Sequence, residues 1–254
     1  MSEPLCETDY LAERVIIIVG MHRSGTSALA GSLEETTGLY LGHVVRTCPD
    51  NPKGWCENPL IFMTNDSILR ENGGSVVAPP DICRWSSQHQ LMRDTIIDSF
   101  RGHSFWGFKD PRTLFTLEGW RQVLPHAELI GIFRHPRLVC ESLERRDRRM
   151  VGQSASMWLK YNRRLLAWKR RLGFPLLSFD DLEISFEQQI QALIQFMNLP
   201  QKSLAPKFFE TRYRHTDIRR SSAFSGEILD TYAELVAAHR ATWRDVPVAA
   251  ASFA

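Results

Sequence analysis

A loop suited to holding an anion stands near the start of the chain. The apolar run VIIIVG ends at Gly20 and leads into MHRSGTSALAG. Gly20 and Gly25 fill the two glycine positions of the phosphate-binding pattern G-x-x-x-x-G-K-[ST], and Ser27 fills the last, but Thr26 stands where the lysine belongs. A strand, a tight glycine loop and a helix start still aim backbone N–H groups at an anion. Ser24, Thr26 and Ser27 add hydroxyl donors, and Arg23 adds a guanidinium that can fork onto phosphate oxygens. The positive charge has moved from the end of the loop to its middle. Glycines that merely shape a turn are the competing reading, which the strand before and the helix after disfavour.

Two further basic stretches follow apolar runs: KDPR, with Lys109, after SFWGF, and RHPR, with Arg134, after AELIGIF. A nucleoside triphosphatase would need Mg²⁺, usually held by an aspartate after an apolar strand. The run AELIGIF ends in Arg134 instead; LLSF does end in Asp180 and Asp181, so a Mg-ATP-dependent small-molecule kinase stays as the alternative. A basic loop opposite a second basic strand end argues for a multiply anionic nucleotide held by cations alone, with no metal.

The elements that must position these residues follow from the hydrophobic pattern. Residues 14–20, 104–109, 127–133 and 174–179 read as buried strands. Helices come between them: Thr26–Leu33, rich in small residues, and stripes at Leu114, Leu117, Trp120 and Leu124, at Trp158, Tyr161, Leu165, Trp168 and Leu172, and at Ile190, Leu193, Ile194 and Met197. These stripes are core rather than cofactor contacts. Continuous apolar strands alternating with helices predict an α/β fold: a parallel sheet in a single domain over 1–254, with helices on both faces, residues 1–13 and 247–254 being flexible ends. Ligands of such sheets bind beyond the carboxyl ends of the strands, where MHRSGTS, KDPR, RHPR and DDLE all fall. Irregular stretches at 40–57, 71–87 and 203–226 suit the walls of a substrate pocket.

Composition excludes several classes. The 254 residues are 43% hydrophobic and 24% charged, with a net charge of +2, which predicts neither a nucleic-acid partner nor an acidic one. The runs RRDRRM and RYRHTDIRR are basic only locally. The five cysteines, Cys6, Cys48, Cys56, Cys83 and Cys140, form no C-x-x-C pair and read as reduced thiols of a cytoplasmic protein. The first apolar run is too short for a signal peptide or a membrane span.

With these motifs in order, the chain resembles the sulfotransferases that use 3′-phosphoadenosine 5′-phosphosulfate (PAPS), whose fold is a relative of the P-loop nucleotide kinases. VGMHRSGTSALAGSL is similar to their 5′-phosphosulfate loop and IFRHPRLVCESLERR to their 3′-phosphate motif, an arginine at a strand end with a serine eight residues later, here Arg134 and Ser142. FKDPRTL resembles the lysine strand end of the tyrosylprotein and carbohydrate branches, and PLLSFDDLEISFEQQIQALIQFMNLP the strand and helix near the family's C-terminus. The resemblance runs from about Arg14 to Pro200, and thinly to Arg220.

It implies a division of roles. Arg23, Ser24, Gly25, Thr26 and Ser27 would hold the 5′-phosphosulfate, Arg134 and Ser142 the 3′-phosphate, and Lys109 would meet the leaving-group oxygen or the sulfuryl group. The phenol-sulfating branch carries a histidine base two residues after such a lysine; Pro111 stands there instead. Other branches take a glutamate from the region after the first helix, which points to Glu57 in NPKGWCENPL, with His22 as second candidate and an ordinary helix-start carboxylate as the rival role for Glu57. Arg112 and Arg137 suit a ligand contact or a salt bridge equally. The late basic segment implies a lid, with Arg219 or Arg220 touching nucleotide. The implied acceptor is a small-molecule or carbohydrate hydroxyl, with lipid, polyketide and peptide hydroxyls left open, and Trp55, Trp85, Phe208, Phe209 and Tyr213 offer aromatic walls.

Overall fold

The computed structural model of the chain describes residues 14–46, 56–147, 151–203 and 224–244. Among them are four strands, β1 (Arg14–Val19), β2 (Phe105–Lys109), β3 (Glu128–Phe133) and β4 (Leu176–Ser178), in one parallel sheet of order β2-β1-β3-β4. All four carboxyl ends therefore lie at one edge. The chain leaves β1 for β2 on one side and then crosses to β3 on the other, so β1 is the switch point of the sheet. Register is set by the apolar pattern: Ile16 lies opposite Gly107 on one side and Glu128 on the other.

Successive strand side chains point to opposite faces, and β1 shows why its run is continuously apolar. Val15, Ile17 and Val19 enter one hydrophobic cluster, and Ile16 and Ile18 the other. The first cluster is closed by α2 (Pro59–Glu71), α3 (Ser87–Asp98), α4 (Thr113–Val123), α5 (Pro136–Asp147) and α6 (Val151–Leu172), through Ile61, Ile96, Leu117, Trp120, Val139, Trp158 and Leu165. The second is closed by α1 (Thr26–Thr37) and α7 (Phe186–Phe196), through Leu29, Leu33, Ile190 and Leu193. The last helix, α8 (Gly226–Trp243), passes the β4 edge: Ile228 and Leu235 join the first cluster and Trp243 the second.

The α/β fold with a parallel sheet and helices on both faces is as expected, and the three stripes form α4, α6 and α7, with Leu124, Leu172 and Met197 at their partly buried ends. Two elements differ by more than one residue at a boundary. The helix expected at 26–33 runs on to Thr37 and stops at Gly38, whose left-handed backbone (φ 77°) lets its N–H reach Glu34 O. The expected strand 174–179 contracts to Leu176–Ser178, because Pro175 has no N–H to give the ladder and contributes only its carbonyl, to Gly131 N. Helices α2, α3, α5 and α8 carry no stripe marked in the sequence; on α3, Ile96 and Ile97 are buried while Leu91 and Met92 face solvent. The expected end segments 1–13 and 247–254 lie outside the described residues.

Candidate active site

The loop between β1 and α1 takes its shape from two close approaches. A Cβ on Gly20 would lie 2.4 Å from Ile132 O of β3, and one on Gly25 would lie 2.3 Å from the Phe179 ring. Gly25 also adopts φ 87°, a left-handed backbone that favours glycine. Arg23 sits at φ 65°, a conformation that costs a non-glycine residue about 1 kcal/mol or more and is found where function holds it. No side chain caps the first turn of α1, which leaves its amides to a ligand or solvent. Ser24 is fully buried, and among the described residues its Oγ meets no hydrogen-bond partner. A buried hydroxyl in that condition is costly unless a ligand satisfies it, and an anion in the loop would do so.

On the β3 side of the loop, Arg23 Nε donates to Ser142 Oγ at 2.8 Å, which joins the loop to α5. Arg134 follows β3, and its side chain is buried. Its Nε donates to Asp180 Oδ1 at 3.2 Å, one of its terminal nitrogens donates to Arg23 O at 3.4 Å, and its own carbonyl accepts from Trp158 Nε1 at 3.0 Å. Asp180 also accepts from His135 N at 3.0 Å. The guanidinium lies 5.3 Å from the Phe179 ring centroid. Arg137 pairs with Glu141 one turn along α5, at 2.7 Å. Burial lowers the pKa of His135, favouring its neutral form.

On the β2 side, Lys109 Nζ donates to Ser27 Oγ at 3.1 Å and to Glu57 Oε1 at 2.8 Å. Lys109 is 2% exposed, so this ion pair is almost dry. Cys56, just before Glu57, has φ 51° and a buried side chain. Asp110 is buried behind Lys109 and accepts from Arg112 N at 2.7 Å and from the Arg112 guanidinium at 3.1 Å. Burial pushes Asp110 up to about 6 against the pull of Arg112. His22 lies edge-on to Tyr161, ring centroids 5.6 Å apart.

The fold thus gathers Arg23, Arg134 and Ser142 on one flank of the loop, and Ser27, Lys109 and Glu57 on the other. Ser142 lies 119 residues from Arg23 in sequence and Glu57 52 from Lys109, so neither contact is visible without the fold. Arg112 and Arg137 each hold a salt bridge, to Asp110 and to Glu141. Asp180, weighed in the sequence as a metal ligand, is turned toward Arg134 and the His135 amide, and Asp181 accepts from the amides of Glu183 and Ile184. Asp110 and Asp66, which the sequence alone did not single out, both accept from the Arg112 guanidinium; the alternation of charge in KDPR was the available signal for Asp110, and no motif marked Asp66. Trp55, Phe208, Phe209, Tyr213, Arg219 and Arg220 lie outside the described residues. Trp85 is partly buried against Trp120 and is core-packed.

Comparison with known proteins gives the family and the fold. The profile of the Sulfotransferase family matches residues 15–203. Among solved structures, the chain is similar to the sulfotransferase domain from the curacin biosynthetic pathway, with TM-score 0.57 at 14% identity over 88% of this chain and 98% of that one. It is also similar to the sulfotransferase domain of the Synechococcus PCC 7002 olefin synthase, with TM-score 0.51 at 16% identity over 88% of this chain and 94% of that one. No curated protein matches the chain in sequence. The residue order that suggested a phosphosulfate loop, the parallel sheet that carries it and the match across most of the chain lead to one conclusion: the chain belongs to the sulfotransferase family.

Proposed function

We propose that the chain transfers a sulfuryl group from PAPS to the hydroxyl of a small molecule or carbohydrate, by in-line displacement and without metal, as one domain in the cytoplasm. One observation supports this most: the loop at the end of β1 separates a cationic flank of Arg23 and Arg134 beside Ser142 from a flank where a buried lysine touches a carboxylate. A donor with phosphates at two ends needs two separate clamps, and a transfer step needs a cation and a base on the reacting side.

The residues fit the donor. The uncapped first turn of α1, Ser24 Oγ, Thr26, Ser27 and Arg23 would hold the 5′-phosphosulfate. Arg134 and Ser142 would hold the 3′-phosphate, with Asp180 aiming the guanidinium. The donor supplies an activated sulfuryl group. Lys109 would meet the charge growing on the leaving oxygen, a task fixed cations perform well in a dry site. Glu57 would take the acceptor's proton. In-line transfer puts the departing oxygen and the attacking hydroxyl on opposite sides of the sulfur, so Lys109 would turn toward the donor and leave Glu57 to the acceptor.

The test is thermal unfolding with adenosine 3′,5′-bisphosphate, adenosine 5′-phosphate and ATP–Mg²⁺. At about 100 times its dissociation constant the bisphosphate adds about 2.7 kcal/mol, and Arg134→Ala should weaken it far more than adenosine 5′-phosphate. Stronger stabilisation by ATP–Mg²⁺ would favour the kinase instead, and equal losses for both adenosine nucleotides would remove Arg134 from the 3′-phosphate.

A further inference from the structure

Glu57 stands two residues before α2, just ahead of Asn58, whose Oδ1 accepts from Leu60 N at 2.9 Å to cap that helix. Lys109 ends β2. Their 2.8 Å contact therefore depends on how α2 is seated at the corner between β2 and α4. That corner is built around Arg112. Its guanidinium donates to both Asp110 oxygens, at 3.1 and 3.4 Å, and through Nε to Asp66 Oδ1 of α2 at 3.4 Å. It also lies 4.3 Å from the ring centroid of Phe62, another α2 residue. Behind it Asn65 bridges the same two helices: its Oδ1 accepts from Thr116 Oγ1 at 2.7 Å and Trp120 Nε1 at 2.9 Å, and its Nδ2 donates to Thr113 Oγ1 at 3.1 Å.

We propose that Arg112 is a positioning residue for sulfuryl transfer: it ties α2 to the end of β2 and so sets Glu57 against Lys109. The proposal rests on the reading of Glu57 as base and Lys109 as leaving-group donor. Arg112 acts through the helix, and the planar fork is what the joint uses. One guanidinium meets a carboxylate of the strand end, a carboxylate of α2 and an α2 ring at once, which an ammonium cannot reproduce. A misplacement of about 1 Å at a reacting group can cost about 10²-fold in rate, so loosening this joint should be felt in turnover.

The experiment compares the wild-type chain with Arg112→Lys, Arg112→Ala, Asp66→Asn and the control Arg70→Ala, which removes only the exposed partner of Asp66. Three quantities are read on folded protein. These are the thermal shift by adenosine 3′,5′-bisphosphate, steady-state transfer from PAPS, and the acetylation rate of Lys109 by trace acetic anhydride, followed by peptide mass spectrometry. Transfer is measured to the best acceptor of a sugar and alcohol panel, or to water as sulfate release. Arg112→Lys should lose about 10²-fold in kcat, keep the donor KM and the thermal shift, and acetylate at Lys109 at least tenfold faster, with Asp66→Asn in the same direction and Arg70→Ala unchanged. Near-normal kcat in Arg112→Lys would show that charge alone suffices and would overturn the proposal. A parallel loss of the bisphosphate shift would make Arg112 a donor contact and overturn it equally. If the wild-type chain shows neither nucleotide stabilisation nor transfer, the sulfuryl-transfer reading itself fails, while an unchanged Lys109 acetylation rate in Arg112→Lys separately overturns the positioning. Should Arg112→Ala fail to fold, Arg112→Lys and Asp66→Asn still decide the outcome.

Discussion

Lys109 and Glu57 neutralise one another 2.8 Å apart where water scarcely reaches, with side chains 1% and 13% exposed. Lys109 also reaches Ser27 of the loop itself, so an anionic donor seated there would draw its ammonium away from Glu57. The two residues can therefore be separated experimentally. Glu57→Gln should keep the thermal shift given by adenosine 3′,5′-bisphosphate and lower turnover about 10²–10⁴-fold, the usual contribution of a positioned base. Lys109→Ala should lower both, and should also destabilise the fold, because it leaves a largely buried carboxylate without its cation. Saturating turnover close to normal in Glu57→Gln would move the base to His22. At this scale the sequence was informative about residue types and silent about partners. Spacing from Gly20 marked Arg23, Ser24, Thr26 and Ser27, but nothing local could show that Arg23 meets Ser142 or that Asp180 orients Arg134.

Among the elements, α2 matters most for the chemistry and was the least legible. Its buried positions, Ile61, Thr64, Asn65, Ile68 and Leu69, include two polar residues, so the apolar stripe that announces α4, α6 and α7 is interrupted. Asn65 occupies a core position because α4 offers it three matching groups, a complement visible only once the helices are packed. Satisfied buried networks of this kind specify one arrangement and are expensive to break. Asn65→Ala would leave the Trp120 Nε1 and Thr116 Oγ1 donors without their acceptor. It should cost about 2–4 kcal/mol in urea unfolding. A loss under about 0.5 kcal/mol, the range of an ordinary surface substitution, would show that the α2–α4 joint holds without it.

Across the whole molecule, stability should depend on pH through Asp110. Its carboxyl is completely buried and pushed up to about 6, above its ordinary 3.8. A raised acid in the folded state binds its proton more tightly than in the unfolded chain. Its contribution is therefore fully present below about pH 4 and is lost as pH rises to about 6. The loss is on the order of 2–3 kcal/mol. Denaturant unfolding of wild type and Asp110→Asn between pH 4 and 7.5 should show a smaller decline for the variant; identical profiles would mean that Asp110 ionises in place without cost. The amino-acid sequence by itself determined the fold class and the ligand edge. Short continuous apolar runs alternating with helical patterns point to strands covered on both faces, and parallel strands put every following loop at one edge. It also determined which residue types reach that edge, because a strand end names the residue that follows it. Only the tertiary structure decided which of them meet. Side-chain contacts across 52 to 119 residues depend on the order β2-β1-β3-β4 and on how α2 and α5 lean over the loop. Those angles come from packing and buried polar complementarity between distant segments, which no local pattern encodes.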